Sequence, residues 1–282
     1  MDLIRYEKLV SSESRARRYL LGFCWKNQQR FCLRCGTRKL YRLQDRRYRC
    51  SRCGYTFHDF SGRWLSRGNL SAQDWLRLCK LFELEVSTRK AAGQLGRAYS
   101  TTYRATTTLR LSLLHGADAE LTLGGEVEMD EAYFGGRRKG KRGRGAAGKV
   151  PVFGILGRDG KVFVEAMPNL KARQVLDLAV RKVRRGSIVY TDRYQIYDAL
   201  MFCGYRHLRI NHQTHFARGR VYINGLEGFW SFAKQRLAQF HGISPERFPL
   251  YLNEMAFRYN HRDEDLFELF AQHLTLPVPN LS

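Results

Sequence analysis

The chain has 282 residues, 44% of them apolar, enough for one large or two to three small folded units with cores of their own. Forty-nine Lys and Arg against 26 Asp and Glu leave a formal charge of +23, a field that favours a polyanion, with nucleic acid ahead of an anionic membrane surface. There is no apolar run of about eighteen residues and no apolar signal core in "MDLIRYEKLVSSESRARRYL". The pattern argues against a membrane protein and predicts a soluble chain in the cytoplasm.

In chain order, "SSESRARRYLLGFCW" has the Ser-rich start and apolar spacing of a short helix. "CLRCGTRKLYRLQDRRYRCSRCGYTF" follows, with Cys32, Cys35, Cys50 and Cys53 in two C-x-x-C knuckles fourteen residues apart, the spacing of a tetrahedral Cys₄ zinc site. Gly36 and Gly54 close the knuckles, and the stretch between them alternates enough for short strands, so a zinc ribbon is predicted. Four thiolates fill the coordination shell of one Zn²⁺, which makes that metal structural; four free thiols are the blander alternative. Arg34, Arg38, Lys39, Arg42, Arg46, Arg47, Arg49 and Arg52 give the ribbon a basic surface suited to phosphates. Cys24, Cys79 and Cys203 sit singly in apolar surroundings and read as small buried hydrophobes in a reducing compartment.

Three helices are predicted next, capped by Ser71, Ser87 and Ser100, the second stopping at Gly96. The last two, with small Ala91 and Ala92 for close approach, match a helix-turn-helix whose second helix would present Thr101, Thr102, Tyr103 and Arg104; a plain helical linker is the alternative.

From Gly124 the texture changes. "GEVEMDEAYFGG" alternates, with Glu126, Glu128 and Asp130 on one face and Val127, Met129 and Glu131 on the other. "KVPVFGILGRDGKVFVEAMPN" reads as two strands joined by an Asp-Gly turn. A helix ending at Gly186, a buried strand "SIVYTD" finishing on Asp192, a helix "YQIYDALMFCGY" and a strand "RHLRIN" come next. Strands in hairpin order, then strands alternating with helices, predict an α/β domain with a mixed sheet flanked by helices.

An ionised carboxylate at the end of a buried strand costs roughly several kcal/mol unless it is paired or holds a metal. Asp130 and Asp192, taken singly, read as turn caps or ion-pair partners. "INGLEGFWSFAKQRLAQF" adds a third acid, Glu227, on a helix side shared with Phe229, Trp230 and Ala233. Three hard oxygen ligands suit Mg²⁺ or Mn²⁺, and two such ions sharing Asp130 can drive in-line phosphoryl transfer. Lys234 lies seven residues on, returning within about 20° of Glu227 on an ideal helix, where it could hold a substrate phosphate. The alternative for Lys234 is an ordinary surface lysine.

Asp130, Asp192, Glu227 and Lys234, set in "GGEVEMDEAYFGGRRKGKRGRG", "IVYTDRYQIYDAL" and "INGLEGFWSFAKQRLAQFHGI", resemble the DDE(K) signature of bacterial insertion-sequence transposases of the ISXO-like type. The segment "RRYLLGFCWKNQQRFCLRCG" resembles the zinc ribbon of the same family, so the likeness covers most of the chain. It implies a ribonuclease-H-like catalytic fold, binding to terminal inverted repeats, and DNA cleavage and joining with two divalent ions. Some members carry Asn as the third catalytic residue, which makes Asn224, one turn before Glu227, a competitor; charge and the spacing to Lys234 favour Glu227. Glu131 falls on the face opposite Asp130 and reads as supporting or structural.

The loop "GGRRKGKRGRGAAGK" carries Arg137, Arg138, Lys139, Lys141, Arg142 and Arg144 without an acid, a strap for the DNA backbone or else a basic tail. His212 and His215 lack the two further ligands of a second zinc site. The expected boundaries are 1–60 for the N-terminal helix and ribbon, 61–120 for the helix-turn-helix region and 121–282 for the catalytic domain with its C-terminal helices. The partners expected are double-stranded DNA, as element ends and target, and further copies of the chain as a dimer or higher oligomer; no membrane is expected. A DNA-binding regulator with an inert catalytic domain, and a nuclease that cuts without joining, are the competing readings, separated by Mg²⁺-dependent nicking and by strand transfer.

Overall fold

The computed structural model describes residues 1–25, 27, 29–45, 47–116, 121–135, 149–192, 203–209, 224–240 and 242–279. They divide into two compact units, Met1–Gly116 with Asp263–Ser282, and Ala117–Arg262. Outside the described residues lie the expected helix over 194–205, except for its last positions, together with His212, His215 and the basic residues Arg137, Arg138, Lys139, Lys141, Arg142 and Arg144.

The first unit starts with α1 (Leu3–Leu9) and α2 (Glu13–Cys24). Ser12 caps α2 by accepting the Arg15 N–H, and Ala16, Leu20 and Cys24, one turn apart, form its buried stripe. The ribbon is an antiparallel sheet of β1 (Leu40–Arg42), β2 (Tyr48–Cys50) and β3 (Thr56–Phe57). Its four cysteine sulfurs all lie within 4.8 Å of one another. The Cys32–Cys53 and Cys35–Cys50 pairs are each 3.5 Å apart, close to the ~3.8 Å edge of a tetrahedron of sulfurs about zinc. Gly36 and Gly54, at φ of +73° and +69°, turn each knuckle back so that the N–H of the glycine bonds the first cysteine's carbonyl.

A 3₁₀ turn (Trp64–Arg67) leads to α3 (Ala72–Glu83), α4 (Thr88–Leu95) and α5 (Tyr99–Leu114). Ser71 and Ser87 cap α3 and α4 as the sequence predicts. Ser100 does not cap α5: Ala98 holds that position, with no side-chain cap. A tertiary contact sets the start instead, because buried Asp74 on α3 takes Arg97 in the α4–α5 turn at 2.6 and 3.1 Å. Ala91 and Ala92 are buried where α4 meets its neighbours. Thr102 also departs from expectation. It is fully buried, in a stripe with Ala105, Thr106 and Leu109, and its hydroxyl donates to the Ala98 carbonyl. It cannot reach DNA. Thr101 is half-buried and Arg104 is exposed.

The second unit is built on β4 (Glu126–Phe134), β5 (Val150–Gly157), β6 (Val162–Ala166), β7 (Ile188–Thr191) and β8 (Arg206–Arg209), with α6 (Ala172–Lys182) between β6 and β7. The sheet order is β6-β5-β4-β7-β8. β5 pairs antiparallel with β4 and β6, whereas β7 is parallel to β4 and β8 to β7. A five-stranded sheet in the order third–second–first–fourth–fifth, with only the second strand reversed, is the ribonuclease-H-like arrangement. Strand alternation splits the core. Val127 and Met129 face the layer of Val175, Leu178 and Ala179 from α6. Ala132 and Phe134 face the layer formed by α7 (Asn224–Leu237) and α8 (Phe248–Asn260).

The last helix, α9 (Leu266–Thr275), returns to the first unit and packs on α2, α3 and α5. The sequence-drawn boundaries group it with the catalytic domain. Its apolar stripe of Phe267, Phe270, Ala271 and Leu274 completes the helical core of the first unit, and the Met1 ammonium pairs with Asp265 at its cap. No helix among the described residues is long and apolar enough to cross a membrane.

The ribbon buries little apart from Cys32, Cys50 and Phe57, so its sulfurs must supply most of its stability through a bound ion. Metal analysis is expected to find one zinc per chain. Cys50→Ala or a strong chelator should release it and collapse the ribbon's near-UV circular dichroism. A ribbon unchanged after zinc removal would contradict this account.

Candidate active site

Three neighbouring elements carry the catalytic candidates: β4, its parallel neighbour β7, and α7, which docks on β4. Asp130 sits mid-strand, paired with Gly154 of β5. Asp192 follows directly on Thr191, the last residue of β7, the strand beside β4. Thr191 is fully buried, its hydroxyl donating to the Asp192 carbonyl at 2.7 Å and lying 2.8 Å from His207 Nε2 on β8, which fixes the backbone at this strand end. Glu227 lies in the first turn of α7, which begins at Asn224.

Side-chain electrostatics link the three acids. Burial pushes the Asp130 carboxyl above the ordinary carboxylate range; a hydrogen bond from Trp230 opposes this, and the charges of Asp192 and Glu227 add to it. The acids are not drawn into one tight knot. Among the described residues, the cysteine quartet is the group of ligating side chains gathered within 4.8 Å, and the carboxylates act on one another over a longer range. Asp130 and Asp192 are half-buried, while Glu227 and Lys234 are exposed.

α7 runs along β4 and touches it at four-residue steps. The Leu226 N–H donates to Glu128 Oε2 at 3.1 Å. Trp230 Nε1 donates to Asp130 Oδ2 at 2.9 Å. Lys234 Nζ lies 5.7 Å from the centroid of the Phe134 ring. Positions four apart on a helix share a face, so one stripe of α7 lies over the strand. Gly154 makes the middle contact possible. A Cβ there would meet the Trp230 indole at 2.7 Å, so only glycine lets the ring lie over the strand pair and reach Asp130.

The contacts of Trp230 with Asp130 and of Glu128 with the start of α7 have no signal in the sequence. Glu128 shares the face of Asp130 by strand alternation, yet it is held by Arg158 and by a backbone N–H 98 residues away. Glu131 is half-buried beside Asp130 with its side chain directed to the other face. The Asn224 side chain lies outside the described residues.

The two candidate metal sites differ in chemistry. The ribbon offers four soft sulfurs and no open position. The acidic site offers oxygens only, and the mutual repulsion at Asp130 is what a hard divalent cation would offset. The remaining thiols fit a packing role: burial pushes Cys24 up to about 11 and raises Cys79 further, and Cys203 packs at the edge of the α6-side core.

Comparison with known proteins agrees with this anatomy. Residues 122–260 match the ISXO2-like transposase domain, and residues 11–56 match the transposase zinc-ribbon domain. A transposase-like protein of Haemophilus influenzae is 44% identical over 103 residues, spanning 36% of this chain and 84% of that protein. Among solved structures, the catalytic core domain of BIV integrase aligns with 14% identity over 50% of this chain and 86% of that one, at a TM-score of 0.35. A paired-end complex of Mos1 transposase aligns with 11% identity over 67% of this chain and 76% of that one, at a TM-score of 0.24. The structural likenesses are distant, and the family assignment stands on the two domain matches and the Haemophilus relative. The chain belongs to the ISXO2-like transposase family, with an N-terminal zinc ribbon ahead of a ribonuclease-H-like domain.

Proposed function

We propose that this transposase binds the terminal inverted repeats of its element and cuts and joins DNA strands at Asp130, Asp192 and Glu227. The observation that carries the reading is topological: Asp192 follows β7, the parallel neighbour of the strand that holds Asp130, and Glu227 lies in the first turn of α7, which is hydrogen-bonded to that strand through Leu226 and Trp230. Three acids from two neighbouring strands and the helix docked on them fit a divalent-ion site. Two Mg²⁺ or Mn²⁺ ions held there would lower the pKa of an attacking water and neutralise charge on the phosphodiester. In cleavage, the water oxygen bonds to phosphorus as the bond to the 3′ oxygen breaks, leaving a 3′-hydroxyl on the element and a 5′-phosphate on the flank. In strand transfer, that hydroxyl attacks a target phosphodiester, exchanging one P–O bond for another without an external energy source.

The chain's own part is to position and to balance charge. Trp230 holds one oxygen of Asp130, leaving the remaining lone pairs for ligation. Lys234, on the same side of α7 as Glu227 and near the end of β4, is suited to a phosphate of the cut strand. The basic residues of 137–144 would bind backbone phosphates, and Arg104 with its exposed neighbours on α5 would contact the element end. Glu227 is taken over Asn224 because a carboxylate brings a full negative charge to a divalent ion and an amide does not. Holding two element ends together calls for at least two copies of the chain, working in the bacterial cytoplasm.

On a duplex carrying the element's ends, Mg²⁺-dependent nicking and strand transfer are expected, with Asp130→Asn, Asp192→Asn and Glu227→Gln each losing about 10²–10³-fold or more in rate. Asn224→Ala should stay within a few-fold. Activity surviving Asp130→Asn and Asp192→Asn together would remove the assignment; a dead Asn224→Ala beside an active Glu227→Gln would move the third role.

Asp130→Asn should also separate stability from function. The folded-state pKa of Asp130 is raised, so its ionised form opposes folding, and the stability this group confers at low pH is lost as pH rises through the folded-state value. The metal-free variant should therefore melt above the wild type at neutral pH, and the gap should close as pH falls through the acid range. The rise in Tm that Mg²⁺ gives the wild type should be absent from the variant. A variant that melts lower without metal at pH 7 would contradict the electrostatic account.

Replacing Arg137, Arg138 and Arg142 with Ala should weaken binding to all DNA sequences alike. The slope of log affinity against log salt should fall by about 0.9 for each phosphate that is no longer neutralised. An unchanged slope would detach this loop from DNA.

A further inference from the structure

Glu128 is the most deeply buried acid on β4, with no solvent exposure at all, and it stands two residues before Asp130 on the same face. A carboxylate so placed needs partners. Its Oε2 accepts the Leu226 N–H at 3.1 Å, in the first turn of α7. Its Oε1 lies 3.0 Å from an Arg158 guanidinium nitrogen, an ion pair rather than an aligned hydrogen bond. Arg158 in turn lies over the Tyr190 ring on β7, and the Tyr190 hydroxyl donates to Glu126 at 2.9 Å. A polar chain thus runs from the strand that leads into Asp192, through Arg158, to the start of the helix that carries Glu227.

The fit at the helix start is close. A Cβ on Gly225 would meet Leu156 Cδ2 at 2.3 Å and Glu128 Oε2 at 3.0 Å, so the first turn of α7 comes down onto the sheet only with glycine there. An acid at the N-terminal N–H groups of a helix meets both unfilled donors and the positive end of the helix dipole. The bond is directional. It ties Leu226, the residue before Glu227, to a fixed point on β4, and so sets the rotation and height of the helix turn that carries Glu227.

We propose that Glu128 is a positioning residue for the metal-dependent reaction: its buried carboxylate grips the start of α7 and so holds Glu227 in register with Asp130 and Asp192. The inference rests on the reading of those three acids as the ion-binding set. Glu128 itself is committed to the helix and to Arg158 and does not ligate.

The test is Mn²⁺ affinity of the full-length, zinc-loaded chain without DNA, measured by electron paramagnetic resonance of free Mn²⁺. Glu128→Gln keeps the shape and an acceptor for Leu226 but loses the charge that strengthens the grip. It is expected to weaken Mn²⁺ binding about tenfold, the scale on which groups supporting metal ligands act, and to speed amide exchange at Leu226. Placed on Glu227→Gln, the same change should cost less than about twofold, because the ligand it positions is already gone. Wild-type Mn²⁺ affinity in a folded Glu128→Gln, or an undiminished tenfold loss on top of Glu227→Gln, would overturn the proposal. Should Glu128→Gln fail to fold, Gly225→Ala, which lifts the helix start while leaving Glu128 intact, must give the same loss, and unchanged affinity there overturns it equally. A wild-type chain without saturable Mn²⁺ binding would instead remove the ion-site reading itself.

Discussion

The organising constraint is electrostatic: the Asp130 carboxylate sits on a central strand, partly removed from water, within reach of the charges of two further acids. Burial and like-charge repulsion both act against the ionised Asp130. Such an arrangement persists only where the surroundings over-determine it. Here a helix is fastened along the strand, its backbone bound by Glu128, its indole bound to Asp130 and its lysine set against Phe134. Apolar packing of Leu226, Phe229, Trp230 and Ala233, all buried in the layer between sheet and α8, supplies the adhesion, and the polar contacts supply the register.

The chain separates two kinds of metal chemistry by donor type. Sulfurs in the ribbon form a closed quartet whose role ends with holding three short strands together. The carboxylate oxygens of the proposed second site, on two strands and α7, are loosely gathered and half open, which would leave room for phosphate oxygens in the shell of an ion. The excess positive charge belongs to a third task, general attraction to a polyanion, which specifies no sequence by itself.

Much of this was legible in the residues. The C-x-x-C spacing, the Ser71 and Ser87 caps and the Asp159-Gly160 turn each encode their structure within a few positions, so local chemistry is enough to read them. Strand alternation also separated Asp130 from Glu131. What escaped depends on interactions between distant segments. The start of α5 moved from Ser100 because Asp74 captures Arg97. Thr102 was read as surface because a Thr-rich helix has little apolar contrast to show which side faces the core. The return of α9 to the first unit has no local signal, since its stripe of aromatics would suit any apolar partner. Glu128 looked like one acid among several. Its role appears only when the backbone of α7 arrives, and Gly154 and Gly225, unremarkable in sequence, mark where two elements come too close for any side chain.

The most direct test of the central claim is a crystal structure grown with Mn²⁺ and a short DNA end, with the ions located by anomalous scattering. The account predicts two peaks about 4 Å apart, bridged by Asp130 and ligated on either side by Asp192 and Glu227. Ions bound elsewhere, or the three carboxylates held apart with the DNA phosphate away from them, would contradict it.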